Sequence, residues 1–143
     1  MEEAEQESLL GYLESLPDHL EISVGSQAYY LIHGFPAGNT EDRVWERPAA
    51  PDIPAPFPGK QLIIGHTPVP FLTTSSDEAL NRMMKKLERQ HKHVKILHAP
   101  GFIDIDCGCG HGYRSCALAC LRLDDMQEFY IPVYTKDCEA HFS

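Results

Sequence analysis

The sequence predicts one domain of mixed α+β class (α/β in the broad sense), built as a mixed sheet with flanking helices. Short apolar stretches of strand length occur in both halves of the chain, and two longer stretches have helical spacing of apolar residues. Of the 143 residues, 43% are hydrophobic, which is enough for one packed core. The expected order is helix, two strands, long loop, strand, helix and three strands.

The N-terminal part predicts a helix followed by a hairpin. Residues 2 to 16 are expected to form an amphipathic helix, because Leu9, Leu13 and Leu16 have the spacing of one helix face. Pro17 ends the helix. Polar and apolar residues alternate in "HLEISV", and Gly25-Ser26 is a turn signal. The more continuously apolar "AYYLIHG" follows, so residues 19 to 34 are expected to form a hairpin with a buried second strand.

Residues 36 to 59 are rich in proline and predict irregular structure. Proline fixes φ and removes a donor, so "RPAAPDIPAPFPG" is not expected to form a helix or strand. A linker and an ordered loop over one domain both fit this composition, and the short flanking segments favour the loop.

The second half predicts one strand, one helix and three further strands. The strand is "KQLIIGH" at 60 to 66, and Ser76 caps a helix at 76 to 90. Its apolar side chains have the spacing of a core-facing stripe: Leu80, Met83, Met84 and Leu87. The last three strands are "FIDIDCG", "CALACLRL" and "EFYIPV".

Charge and composition exclude several classes of protein. A net charge of −9 argues against sequence-independent binding to nucleic acid, which requires a basic surface. No apolar run approaches the ~20 residues needed to span a bilayer, and "MEEAEQESLL" lacks the apolar core of a secretory signal. Five cysteines without such a signal favour reduced thiols. We therefore expect a cytoplasmic protein that binds neither membrane nor nucleic acid.

Four of the cysteines lie in "DIDCGCGHGYRSCALAC", which raises the question of a zinc site. Structural zinc usually takes two close pairs of ligands held by tight turns, and this spacing contains no C-x2-C pair. The pattern therefore favours cysteines as small residues in packed strands, with the neighbouring glycines allowing close backbone approach.

Two histidines are better candidates for metal ligands. His33 and His66 each end an apolar strand and adjoin a glycine, in "YYLIHGF" and "LIIGHTP". A histidine leaving a buried strand has a fixed backbone beside a loop that can make room for an ion. Spacing alone leaves the metal-ligand and ordinary strand-end interpretations equally open.

Four segments together resemble the calcineurin-like metallophosphoesterases, the group of serine/threonine protein phosphatases and bacterial diadenosine tetraphosphatases. In chain order they are "GYLESLPDHLEISVGSQAYYLIHGFP", "EDRVWERP", "GKQLIIGHTPVPFL" and "FIDIDCGCGHGYRSCALACLRLDDMQEFYI". The last is similar to the family's closing "IDTG" segment, with cysteine at small-residue positions. The matches span roughly residues 9 to 133.

The resemblance implies specific roles. His33 and His66 would be ligands of one metal of a binuclear centre, and Arg47 would contact the substrate phosphate through its planar fork. The chemistry would be phosphoester hydrolysis by two divalent metals, with manganese, iron or zinc suited to mixed nitrogen and oxygen ligands. His111 would be a substrate neighbour or an exposed turn histidine.

The resemblance covers only the C-terminal half of the family's domain, a four-layer α/β/β/α sandwich. The motifs D-x-H, GDxxDRG and GNHE, which supply the remaining ligands and the catalytic histidine, do not occur. No catalytic residue is therefore assigned in this half. The chain is expected to be inactive by itself, and its partners would be the missing half, in cis or in trans, and a phosphoester substrate (a phosphoprotein or nucleotide).

A second function class stays open. The chain could be a catalytically inactive remnant of the fold that acts as a binding or interaction module. In either case an apolar sheet face normally covered by the other half would be exposed, which predicts self-association or poor solubility.

Overall fold

The protein was analysed as a computed structural model that describes residues 3–36 and 40–133, with side chains from residues 5–36 and 43–133. It confirms a mixed α+β fold with a mixed sheet and helices. The helices are α1 Glu3–Ser15, α2 Thr40–Trp45, α3 Val69–Thr73 and α4 Asp77–Arg89. The strands are β1 His19–Val24, β2 Gln27–Ile32, β3 Lys60–Ile64, β4 Leu97–His98, β5 Phe102–Asp104, β6 Ala117–Arg122 and β7 Gln127–Pro132.

The main sheet has five strands in the order β1-β2-β3-β5-β4. Its centre consists of the parallel strands β2, β3 and β5, with Tyr30 opposite Leu62 and Leu62 opposite Phe102. The edge strands β1 and β4 are antiparallel to their neighbours. Strands β6 and β7 form a separate antiparallel hairpin. Because β2, β3 and β5 are parallel, the segments that follow them all leave at the same edge of the sheet.

Each face of the main sheet packs against a different set of elements. One face is covered by α4 and the hairpin, and its core includes Ile63, Ile103, Leu80 and Met84. The helix begins as predicted, since the Ser76 hydroxyl accepts a hydrogen bond from the amide of residue 79 at 3.2 Å. The apolar stripe of α4 faces the core, since Leu80 and Met84 are buried in it and Leu87 packs against it.

The opposite face is covered by the proline-rich segment. Ile53 and Phe57 pack on the buried cluster formed by Leu62, Ile64, Phe102 and two β2 side chains. Gly101 explains how closely this segment lies, because a Cβ added there would be 2.6 Å from the carbonyl carbon of Pro54. The proline-rich segment is thus an ordered covering of the same domain.

The structure differs from the sequence prediction at several elements. The segment predicted as a loop at 36–59 contains the short helix α2, and residues 37–39 lie outside the described part. Helix α3 was missed because prolines flank its start, although a proline in the first turn does not break a helix. Strand β5 ends at Asp104, short of the predicted Gly108, which makes only an isolated bridge to Ala117.

Helix α1 lies within the predicted range 2–16, of which residue 2 is outside the described part, and none of its described side chains is buried. Every side chain from residue 5 to 17 is exposed, including those of Leu9, Leu13 and Leu16. Strand β1 continues this surface with Leu20 and Ile22. This exposed apolar surface lies on a helix and an edge strand, whereas an exposed sheet face was expected from the sequence, and both faces of the main sheet are covered. Self-association stays a prediction. Within the described residues no helix has the length and apolar character required to cross a membrane.

Candidate functional site at the carboxyl edge of the sheet

The two candidate histidines lie side by side at the carboxyl ends of adjacent parallel strands. His33 directly follows β2, and His66 follows β3 by two residues. Their ring centroids are 5.0 Å apart, and the Gly65 amide donates a hydrogen bond to the His33 carbonyl at 3.0 Å. His33 is exposed and His66 is half-buried. The fold thus brings together the two residues that the sequence singled out.

The backbone of His66 is in the left-handed region, with φ of 64°. This conformation costs an L-residue about 1–2 kcal/mol, so glycine would fit it more easily. The rings of His66 and Trp45 meet edge to face at 5.5 Å. The ring is therefore held in place by α2 while its backbone is strained.

Burial lowers the pKa of His66, and electrostatic interaction with His33 and with the Arg47 guanidinium lowers that pKa further. Asp106 acts in the opposite direction but does not reverse the result. At neutral pH the ring of His66 is consequently neutral. One ring nitrogen then carries a lone pair, which is the form that binds metals.

Arg47 follows α2 and reaches the same region. Its side chain is exposed, whereas the next residue, Pro48, is buried and anchors the segment. Gly34 allows α2 to pack directly on the segment after β2, because a Cβ there would lie 2.8 Å from the carbonyl oxygen of Val44. The position of Arg47 relative to the two histidines therefore depends on a close approach that only glycine permits.

A buried carboxyl group at this edge was not predicted from the sequence. Asp104, the last residue of β5, is 0% exposed, and its Oδ1 accepts a hydrogen bond from the Asp106 amide at 2.9 Å. Its Oδ2 and the hydroxyl of Thr67 have no partner among the described residues. Burial raises the pKa of Asp104 to about 8, so the group is mostly protonated at neutral pH. The signal was visible as an acidic residue inside the apolar stretch "FIDI".

The cysteines form no metal cluster in the described part of the chain. Cys107 and Cys116 are buried, as expected for small packed residues, but Cys109 and Cys120 are exposed. The prediction of small packed residues is therefore wrong for Cys109 and Cys120. Burial raises the pKa of Cys107 to about 12, which leaves it an unreactive thiol.

His111 lies in a short 3-10 turn, Cys109–His111, and is exposed. Its ring is 5.0 Å from that of Phe71 in α3. This environment is that of an exposed turn histidine, one of the two interpretations that the sequence left open. No contact to His33, His66 or Arg47 is described for it.

His33 and His66 could fill two ligand positions of a metal site, but the described residues do not supply a complete set of ligands. Within residues 3–36 and 40–133, no group of three or more His, Cys, Asp or Glu side chains is arranged to hold an ion. His33 and His66 are close enough to face a common ion, with ring centroids 5.0 Å apart, but a structural or catalytic zinc takes at least three protein ligands. Any complete centre would need further donors.

Comparison with known proteins assigns no relative to this chain. No family model, no curated protein and no solved structure matches it. The function must therefore be argued from the chemistry of the site.

Proposed function

We propose that this chain contributes part of the active site of a metal-dependent phosphoesterase that works through a binuclear metal centre. His33 and His66 bind one metal, Arg47 binds the substrate phosphate, and a segment in cis or in trans supplies the remaining ligands and the catalytic residue. The wider fold belongs to the same proposal, with the mixed sheet as one half of a four-layer sandwich.

The observation that carries the proposal is the pairing of His33 with a strained, neutral His66. The two imidazole rings are 5.0 Å apart at the carboxyl ends of parallel strands. Sheets of this kind commonly bind their ligands at that edge. Backbone strain persists where a side chain is needed, and a glycine at 66 would remove it. These features support a role for the rings beyond packing.

The chain's own residues then have distinct tasks. The edge-to-face contact with the Trp45 ring restricts the orientation of the His66 ring. Arg47 offers a planar pair of donors that matches two phosphate oxygens. Divalent metals, when bound, would supply charge neutralisation and an activated water.

The test is hydrolysis of p-nitrophenyl phosphate by the protein purified from its source cells with every bound component. We expect activity with Mn²⁺, loss after chelation, and loss in His33→Asn and His66→Asn. Arg47→Gln should raise KM and lower kcat together. The control variant Arg82→Gln changes an exposed arginine of α4, and its KM and kcat should equal those of the unmodified protein. Full activity in both histidine variants would refute the proposal.

A second candidate is a catalytically inactive binding module, and one observation favours it. Among the described residues no group of three metal donors occurs, while α1 exposes Leu9, Leu10 and Leu13 to solvent. In that case the purified protein would hold no metal, and mutation of the exposed leucines would abolish its association while mutation of His33 would not.

A further inference from the structure

The only tryptophan of the chain is exposed beside the candidate site. Trp45 has 72% of its surface exposed, although tryptophan is highly buried on average. Its ring meets the His66 ring edge to face, with planes 79° apart. This geometry leaves at least one face of the indole uncovered by His66.

A cationic group lies two residues from this indole. Arg47 is exposed, and because it precedes a proline its backbone is restricted to extended conformations. Pro48 is buried and fixes the chain at this point. Arg47 is also close enough to His66 to influence the ionisation of its ring. An aromatic face and a guanidinium are therefore presented together on one anchored segment.

We propose that Trp45 and Arg47 form a subsite for a phosphate ester that carries a planar aromatic ring. The ring stacks on the indole, and the guanidinium holds the phosphate through two parallel hydrogen bonds. The inference rests on the proposed function, since it names the substrate class of that site. A sugar phosphate or phosphoserine lacks the ring and loses the stacking contribution. A nucleobase and a phenol ring share the required chemistry.

The single tryptophan makes the test direct, because all indole fluorescence comes from Trp45. The protein is titrated in the presence of a chelator, so that no metal contributes to binding. AMP and phenyl phosphate should each quench the emission in a saturable way. Ribose 5-phosphate should compete with AMP at about tenfold higher concentration, and adenosine should quench with similarly weakened affinity.

Variants separate the two halves of the subsite. Arg47→Gln should remove the preference for AMP over adenosine and keep quenching by both. Trp45→Leu, followed by calorimetry, should remove the preference for AMP over ribose 5-phosphate. Arg82→Gln, an exposed arginine on α4, is the matched control and should bind AMP as the unmodified protein does. Tighter binding of AMP than of phenyl phosphate would identify the ring as a nucleobase, and the reverse order would identify it as a phenol.

Failure of this inference can be distinguished from failure of the proposed function. Equal affinity for AMP and ribose 5-phosphate without a change in fluorescence would overturn the subsite, even if the native protein hydrolyses phosphoesters. Conversely, ring-dependent quenching under chelation would support the subsite in a protein that proves catalytically inactive. An AMP affinity unchanged in Arg47→Gln would also overturn it.

Discussion

Replacing His66 by alanine and by glycine separates the strain in its backbone from the contribution of its ring. Both substitutions remove the contacts of the His66 ring with the rings of Trp45 and His33. Only glycine also relieves the left-handed conformation at φ of 64°. The difference between the two variants therefore measures the strain.

The magnitudes follow from these contacts. Losing the ring contact costs about 0.5–1.5 kcal/mol, so His66→Ala should lower the free energy of unfolding by about that amount. Relief of the left-handed backbone contributes about 1–2 kcal/mol, reduced by the greater unfolded-state entropy of glycine, about 0.5–1 kcal/mol. His66→Gly should therefore be more stable than His66→Ala by about 1 kcal/mol.

The assay is urea unfolding followed by circular dichroism, with His91 as the matched position. His91 also has a positive φ, 52°, at the end of α4, but it is exposed. The free energy of unfolding of His91→Gly should be higher than that of His91→Ala by a similar amount. Neither change should alter ligand binding at the site. At His98, in a strand, glycine should instead be less stable than alanine. A glycine variant at 66 that is no more stable than the alanine variant would refute the argument for strain.

Three further predictions concern burial and packing. Because the pKa of Asp104 in the folded state is raised to about 8, the folded protein keeps a proton that the unfolded chain has lost, so the free energy of unfolding should fall by an amount on the order of 5 kcal/mol as pH rises from 4 to 8. In Asp104→Asn, unfolding measured across this pH range should show that most of the slope is lost. An unchanged slope would contradict the assignment. Gly34→Ala should displace α2 and weaken AMP quenching of the tryptophan at least tenfold, whereas Gly110→Ala, where a Cβ meets nothing within 4 Å, should not. Leu13→Glu should leave thermal stability within about 0.5 kcal/mol, since the side chain is exposed, but should reduce self-association in light scattering; a large loss of stability would show that α1 packs on this chain.

Much of the sheet could be predicted from local pattern. Strand β1 matches its predicted bounds because alternation and the Gly25 turn specify both ends. Helix α4 was found to within one residue, since the Ser76 cap and the apolar stripe agree. The placement of His33 and His66 at strand ends followed from the same reasoning, whereas the parallel pairing of β2 with β3 was not predicted.

Other features depend on tertiary contacts that a pattern does not contain. Helix α2 is short and lies between glycine- and proline-rich stretches, so its helical propensity was too weak to predict a helix. Its close packing against Gly34 is a tertiary contact that local sequence does not show. The burial of Asp104 depends on how the sheet is covered by other parts of the chain, since β5 lies beside β3 and β4 in the main sheet. The exposure of Trp45 likewise could not be read from its sequence neighbours.

The most direct test of the central claim is the broadening of histidine imidazole resonances by Mn²⁺ in nuclear magnetic resonance. The chain has eight histidines, and single substitutions assign them. We expect low concentrations of Mn²⁺ to broaden His33 and His66 together, and His66→Gln to abolish the effect at His33. Broadening centred on other histidines, or none at either residue, would contradict the assignment of this pair as joint metal ligands.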